Sequence, residues 1–300
     1  GKTKTLFTII MNKTLFEDIK YKVLQSGNPV FLYIGLNTFI FVVMALLGVV
    51  LFLSGNSSAS LKELVLDYVA FPVSLDKLLY RFYTPLTYQF FHDGIFHLLF
   101  NMLWLYWLGQ IFLEYLKPRQ FHFVYLAGGL AGALFYSLAF HIFPAFKDSI
   151  QNSVIIGSSA AVMAIVVATA TLLPNFSIRM LFFGDVKLKY LAVAYVVLDL
   201  IGVGSTNAGG SFAHLGGAFL GFIYIKALAK GNDWSAIFKK STRPSKLKVN
   251  RNDNYKPNNG SKSDRVSQRE IDAVLDKISK SGYDKLTKEE KEILFKASKH

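Results

Sequence analysis

The sequence predicts an all-α membrane protein, a bundle of six transmembrane helices followed by a polar C-terminal tail. Three observations lead to this fold class. Hydrophobic residues make up 52% of the chain and charged residues 18%, a balance too apolar for a soluble globule of this length. The apolar residues are gathered into runs close to the roughly 20 residues that a bilayer core demands. The net charge of +13 is unevenly placed: residues 231–300 hold 17 Lys or Arg against 10 Asp or Glu, so more than half of the excess sits in the polar tail. Such a tail fits a cytoplasmic face opposite anionic lipid, and nothing in the chain reads bases, so no nucleic-acid partner is expected. There are no cysteines, which excludes disulfides, thiolate metal sites and cysteine nucleophiles.

Residues 1–28 mix Lys13, Glu17, Asp18, Lys20 and Lys22 with Leu, Phe and Ile, and read as a cytoplasmic N-terminal segment that approaches the membrane. The first span runs from about Pro29 to Leu53; its apolar run exceeds the core of a signal peptide, so it is read as a retained anchor. Residues 54–93 form a connection long enough to carry structure of its own, with pieces such as Leu61 to Phe71 too short or too charged to cross. The second span is about Gly94 to Leu116 and the third about Phe121 to Phe143. The fourth is about Ile155 to Leu173, the fifth about Leu188 to Val203 and the sixth about Gly210 to Ala229, so residues 29–230 form one six-span domain.

Six spans put both termini on one side. Lys117 and Arg119 lie between the second and third spans, and Arg179, Asp185 and Lys187 between the fourth and fifth, whereas Gly204 to Gly210 carries no charge. The positive-inside rule therefore places both termini in the cytoplasm of a bacterial-type plasma (inner) membrane. After Lys230, residues 231–266 read as a linker, because Ser241 to Ser263 is rich in Asn, Ser, Lys and Pro. Residues 267–300 return to a helical pattern: Ile271, Val274, Leu275 and Ile278 share a face, and Thr287 with Glu290 forms a capping box before Ile293, Leu294 and Phe295. A tail this small buries little core alone.

Polar groups inside a span cost free energy, so they are functional candidates. His97 and Asn101 lie four apart in HLLFNMLWLYWLG, on one helical face. Taken alone, the pair reads as interhelical hydrogen bonding. The fourth span opens with Gly157, Ser158, Ser159 and Ala160; a lone serine in a span is usually structural, but one in the first turn sits beside unpaired backbone N–H groups suited to a developing oxyanion. In the sixth span His214, Gly217 and Gly221 share a face, and Ala160, Ala164 and Ala168 make a matching small-residue face in the fourth. Docking these faces would bring Ser159 and His214 together, the nucleophile and base relation of hydrolases.

The run YTPLTYQFFHDGIFHLLFNMLWLYWLG, then GSSA, then AHLGGAFLG, resembles the core of the rhomboid intramembrane serine proteases, in the family's order and on the expected spans. The resemblance implies a serine endopeptidase that cuts single-span membrane proteins within the lipid bilayer, without metal or cofactor. It implies Ser159 as nucleophile and His214 as general base, a dyad without a third carboxylate. His97 and Asn101, with the Ser159 backbone N–H, match the oxyanion site. Gly157 matches the glycine of the GxS element, and Gly217 and Gly221 match the glycines on which the catalytic helices pack. Tyr80 and Arg81 fall where the family commonly has Trp-Arg, a structural position. Ala160 stands in place of a second glycine, and Met163 in place of a tyrosine that stacks on the catalytic histidine. Asp199, near the end of the fifth span, is read as structural and solvated, and His92, His122, His141 and His300 are given no catalytic role.

Two rival classes are weighed. A non-proteolytic rhomboid-like protein that binds or escorts other transmembrane proteins would lack the serine or the histidine, and both are present. A transporter would show a charged relay or an inverted repeat, and neither is visible. An HExxH metal motif is absent.

Overall fold

Asn28 and Pro29 start the first long helix, α1 (Pro29–Leu53). The Asn28 side chain accepts the Val30 N–H at 2.9 Å, and Pro29 takes the first helical position, where its missing N–H costs nothing. In this computed structural model residues 14–55, 58–180, 184–205, 207–238 and 268–298 are described. They belong to two compact units, Gly1–Ser241 and Thr242–His300. Parts of the N-terminal segment and most of the linker read at 231–266 lie outside the described residues.

Within the first unit a short helix, Leu15–Lys20, capped by Thr14, leads through one π-helical turn into α1. Four helices are long and apolar enough to cross a membrane: α1, α2 (Ile95–Tyr115), α3 (Pro118–Ile142) and α6 (Ala208–Ala229). Two shorter helices, α4 (Ser159–Leu172) and α5 (Leu188–Gly202), complete the bundle. At α3, Pro118 again occupies the first position, and the Gln120 side chain accepts the Lys117 N–H at 2.8 Å. Large apolar side chains face outward, including Phe39, Leu46 and Phe52 on α1 and Leu198 and Ile201 on α5. So much exposed apolar surface belongs against lipid. The chain is a multi-pass membrane protein.

The fourth helix starts later than its apolar run. Val154 and Ile155 form a strand, β2 (Val154–Ile155), paired antiparallel with β1 (Phe71–Pro72), and Gly157 follows at φ +126°, which no helix admits. β-branched residues ahead of a glycine in that conformation favour extended chain over a helical turn. The long connection before α2 carries its own structure, a helix at Ser58–Tyr68 and another at Leu75–Tyr80, and the β1–β2 pairing ties it to the segment entering α4. Arg81 lies 3.8 Å from the Asp67 carboxylate and over the Tyr68 ring, and Tyr80 is exposed.

Helix α4 is the centre of the bundle, and every residue from Ala160 to Ala170 is buried. Its sequence is apolar on all faces, as a helix surrounded by others must be. Close packing there depends on glycine. A Cβ on Gly217 would strike the Ala160 carbonyl, and one on Gly221 the Ala164 carbonyl, so α6 lies directly on the α4 backbone. The third helix does the same from another side: Cβ atoms on Gly128 and Gly132 would collide with the methyls of Ala164 and Ala160. Dispersion between closely approaching backbones, rather than a hydrophobic force, drives such association in lipid. Asn37 fastens α1 to α3 by donating to the Tyr33 carbonyl at 2.7 Å and the Tyr125 hydroxyl at 3.2 Å.

A hairpin of β3 (Ser177–Met180) and β4 (Gly184–Lys187) joins α4 to α5. After α6, Asp233 gathers Arg119, Tyr224 and Ser235, tying the start of α3 to the end of α6.

The second unit holds α7 (Gln268–Ser281) and α8 (Lys288–Ala297), the latter started by a Thr287–Glu290 capping box. Lys277 pairs with Glu290 at 2.7 Å across the two helices. Val274 and Leu286 are buried, but Leu275 is 50% exposed, because two short helices cover only part of an apolar face.

Candidate active site

The β1–β2 pairing and a hydrogen bond from the Gly157 N–H to the Tyr88 carbonyl (2.9 Å) hold residues 154–158 extended beside the bundle. Gly157 is required on two counts. Its φ is +126°, and a Cβ there would lie 2.7 Å from Cε1 of His97, so the imidazole packs against bare backbone. Ser158 is the N-cap of α4 and Ser159 its first residue. The first N–H groups of a helix have no partner within it, so unpaired donors gather at Ser159.

The two serines have different surroundings. Ser158 is fully buried, with Oγ 3.0 Å from Nε2 of His92. Burial, with the neighbouring His97 imidazole, pushes His92 down from 6.5 to about 3, so at neutral pH the ring is uncharged. Ser159 instead lines a cavity of about 810 Å³. The same cavity is lined by His214, His97, Asn101, Gly157 and Met163, so six of the residues singled out in the sequence meet there. Gly217 and Gly221 lie outside it, at the α4–α6 contact.

His97 and Asn101 come from consecutive turns of α2. Asn101 donates one Nδ2 hydrogen to the His97 carbonyl at 2.8 Å, which fixes the amide and leaves a second hydrogen available. Phe96, Phe100 and Trp104 of α2 and Tyr195 of α5 form an apolar part of the wall, and Trp104 meets Tyr195 edge-on at 5.2 Å between ring centres. Lys62 and Asp93, paired at 2.9 Å, stand at the margin.

Sequence reasoning missed two residues. His92 received no role, yet it holds Ser158. The expectation that Asp199 is solvated near the interface is corrected by the structure: its side chain is only 13% exposed and its Oδ1 lies 2.8 Å from Nδ1 of His214. An acidic residue in an otherwise apolar helix was the available signal; that it faces α6 could not be read without knowing how α5 is rotated. An ionised carboxylate there could only accept, in which case the proton sits on Nδ1 and Nε2 is the ring's acceptor.

Comparison with known proteins shows the family. A family model described as the Rhomboid domain matches residues 76–231, just over half of the chain. The chain belongs to the rhomboid family. It is 31% identical over 172 residues to RHOMBOID-like protein 12, mitochondrial, of Arabidopsis thaliana; the match covers 54% of this chain and 51% of that protein. The chain thus spans about half the length of that curated relative. A second model, for a family of unknown function (DUF6576), matches residues 261–300.

Proposed function

We propose that this rhomboid-family chain is an intramembrane serine endopeptidase that hydrolyses transmembrane proteins. The observation that carries the reading is the shared cavity: Ser159, at a helix N-terminus, faces the same space as His214, His97 and Asn101, and His214 has its Nδ1 engaged by Asp199, with no hydrogen bond to its Nε2 among the described residues. Nε2 takes the Ser159 hydroxyl proton as Oγ bonds to the scissile carbonyl carbon. Negative charge then develops on the carbonyl oxygen, where His97, Asn101 and the Ser159 N–H are the donors. As the C–N bond breaks, the imidazolium returns its proton to the leaving amine. A water, deprotonated by the same nitrogen, attacks the acyl-serine and frees the carboxyl product with Ser159 restored.

Hydrolysis inside a membrane needs water. About 810 Å³ would hold on the order of 25 molecules at ~30 Å³ each. The shortness of α4 fits the same picture: its 14 residues rise about 21 Å, less than the ~30 Å of hydrocarbon, and the extended chain at 154–158 is tolerable at membrane depth where it lines a water-filled cavity. On this reading α4 and α5 are spans as well, giving six, with both termini on the side of Lys117 and Arg119. The substrate is a single-span protein whose helix opens near the cavity, since a bond in an intact helix is shielded and Gly, Pro or polar residues lower the cost of opening.

Purified protein incubated with a panel of labelled single-span proteins tests the reading. Cleavage by the wild type, absent in Ser159→Ala and in His214→Ala, is expected. Binding without cleavage by wild type and variants alike would instead identify a non-proteolytic member that escorts transmembrane proteins.

A further inference from the structure

Nothing in a two-residue catalytic pair accounts for a third ionisable group bonded to its histidine. The carboxylate of Asp199 lies on the face of the His214 ring away from Nε2, with Oδ1 2.8 Å from Nδ1. Its other oxygen, Oδ2, is buried and takes no hydrogen bond from the described residues. A carboxylate set within an apolar bundle is expensive unless paired, and the pairing found here is with His214.

The backbone enforces this pairing. Gly202, one turn after Asp199, and Ser211, one turn before His214, mark a close approach of α5 to α6: a Cβ on Gly202 would lie 2.5 Å from the Ser211 hydroxyl oxygen. The approach sets the two side chains in register. Met163, four residues after Ser159, supplies a flexible thioether to the same cavity. The titratable neighbours of His214 are Asp199 and, one turn before it, Tyr195 from α5, and His97 from α2.

We infer that Asp199 is a positioning residue, which holds His214 in the Nδ1–H tautomer with Nε2 directed into the cavity and stabilises the imidazolium that forms when Ser159 gives up its proton. The site is then a Ser159–His214–Asp199 triad. This inference rests on the protease reading of the cavity.

A purely structural Asp199 would tie α5 to α6, and an amide of the same size would largely serve that purpose. Asp199→Asn removes the charge and allows the amide N–H to donate to Nδ1, which selects the wrong tautomer. Using the full chain in detergent with a labelled single-span substrate, Asp199→Asn should lower kcat by about 10²- to 10⁴-fold. KM should move by less than about threefold, since the loss is confined to the transition state. The rate of labelling by a fluorophosphonate should fall in parallel, with thermal stability close to the wild type. Wild-type kcat and labelling in a folded Asp199→Asn protein would overturn the inference, as would a loss of rate that merely follows a loss of stability. If Asp199→Asn does not fold, Asp199→Glu is compared with Asp199→Gln, which differ in charge alone; the Glu variant should be faster, and equal rates overturn the proposal. Ser159→Ala and His214→Ala are run alongside. Should those retain cleavage, the protease reading itself fails; if they are inactive while Asp199→Asn is unaffected, only the role of Asp199 falls.

Discussion

Ser158 Oγ lies 3.0 Å from Nε2 of His92, behind the wall of the cavity that Ser159 faces. Adjacent residues of a helix point about 100° apart, so two neighbouring serines cannot serve one base. Here the first is consumed in a buried contact with a histidine 66 residues away.

The two serines should therefore separate cleanly on mutation. Ser159→Ala is expected to abolish both substrate cleavage and fluorophosphonate labelling, while Ser158→Ala keeps much of each. Because Ser158→Ala removes the hydroxyl partner of the buried His92 Nε2 and leaves it only the longer contact from the residue 158 backbone N–H, 3.5 Å in the wild type, it should also cost about 1 kcal/mol of stability, read as a lowered melting temperature. Labelling of Ser159→Ala at the wild-type rate would falsify this assignment.

His97→Ala and Asn101→Ala should each slow cleavage without unfolding the bundle. On the proposed mechanism each substitution removes one donor to the developing oxyanion, an effect of about 10²- to 10³-fold on kcat. The losses are read as kcat with melting temperature as the control; unchanged turnover in both variants would remove these residues from the site.

The α4–α6 contact predicts an asymmetry among glycines. Gly217→Ala and Gly221→Ala push a methyl into carbonyl groups of α4, and backbone there cannot swing aside as a side chain can. Overpacking of this kind typically costs about 1–3 kcal/mol, and activity should fall as α6 carries His214 away from Ser159. Gly48→Ala in α1, where the nearest atom is a Leu61 methyl at 3.8 Å, should be neutral. Equal melting temperatures for the three variants would contradict the packing described.

Asp233 offers a test by pH. Burial raises its carboxyl, but hydrogen bonds from Ser235 and Tyr224 and the Arg119 guanidinium more than offset this, so the group sits below the ordinary carboxylate value of 3.8. A depressed acid contributes stability that is fully present above the unfolded value and is lost as pH falls through the folded one. At pH 7 Asp233→Asn should be less stable than the wild type by roughly 1 to 3 kcal/mol. The difference should shrink once the pH drops below the ordinary carboxylate range; a gap that persists in strong acid would show that the charge is not its source.

Membrane sidedness can be tested directly because the chain contains no cysteine. Single substitutions Lys117→Cys and Ser205→Cys, in sealed vesicles, should react with an impermeant maleimide from opposite sides. Labelling of both from one side would overturn the proposed six-span arrangement.

Much of the fold was legible because it is local. The first span was read as Pro29 to Leu53 and is found there, since the Asn28 cap and Pro29 set its start whatever it packs against. Families of small residues, Ala160, Ala164 and Ala168 against Gly217 and Gly221, announced a close helix pair, because period-four spacing is visible in one dimension. The start of α4 was misjudged by four residues, since an apolar run such as Val154–Ile156 satisfies helix and strand alike until a partner strand is present.

By itself the sequence determined the membrane class, the order of the helices and six of the residues that face the cavity, because hydrophobic length, periodicity and motif are properties of contiguous chain. Only the tertiary structure decided that His92 holds Ser158 and that Asp199 meets His214. Those facts depend on the rotation and register of helices that are distant in sequence, which the close approaches at Gly157, Gly202 and Gly217 help to set.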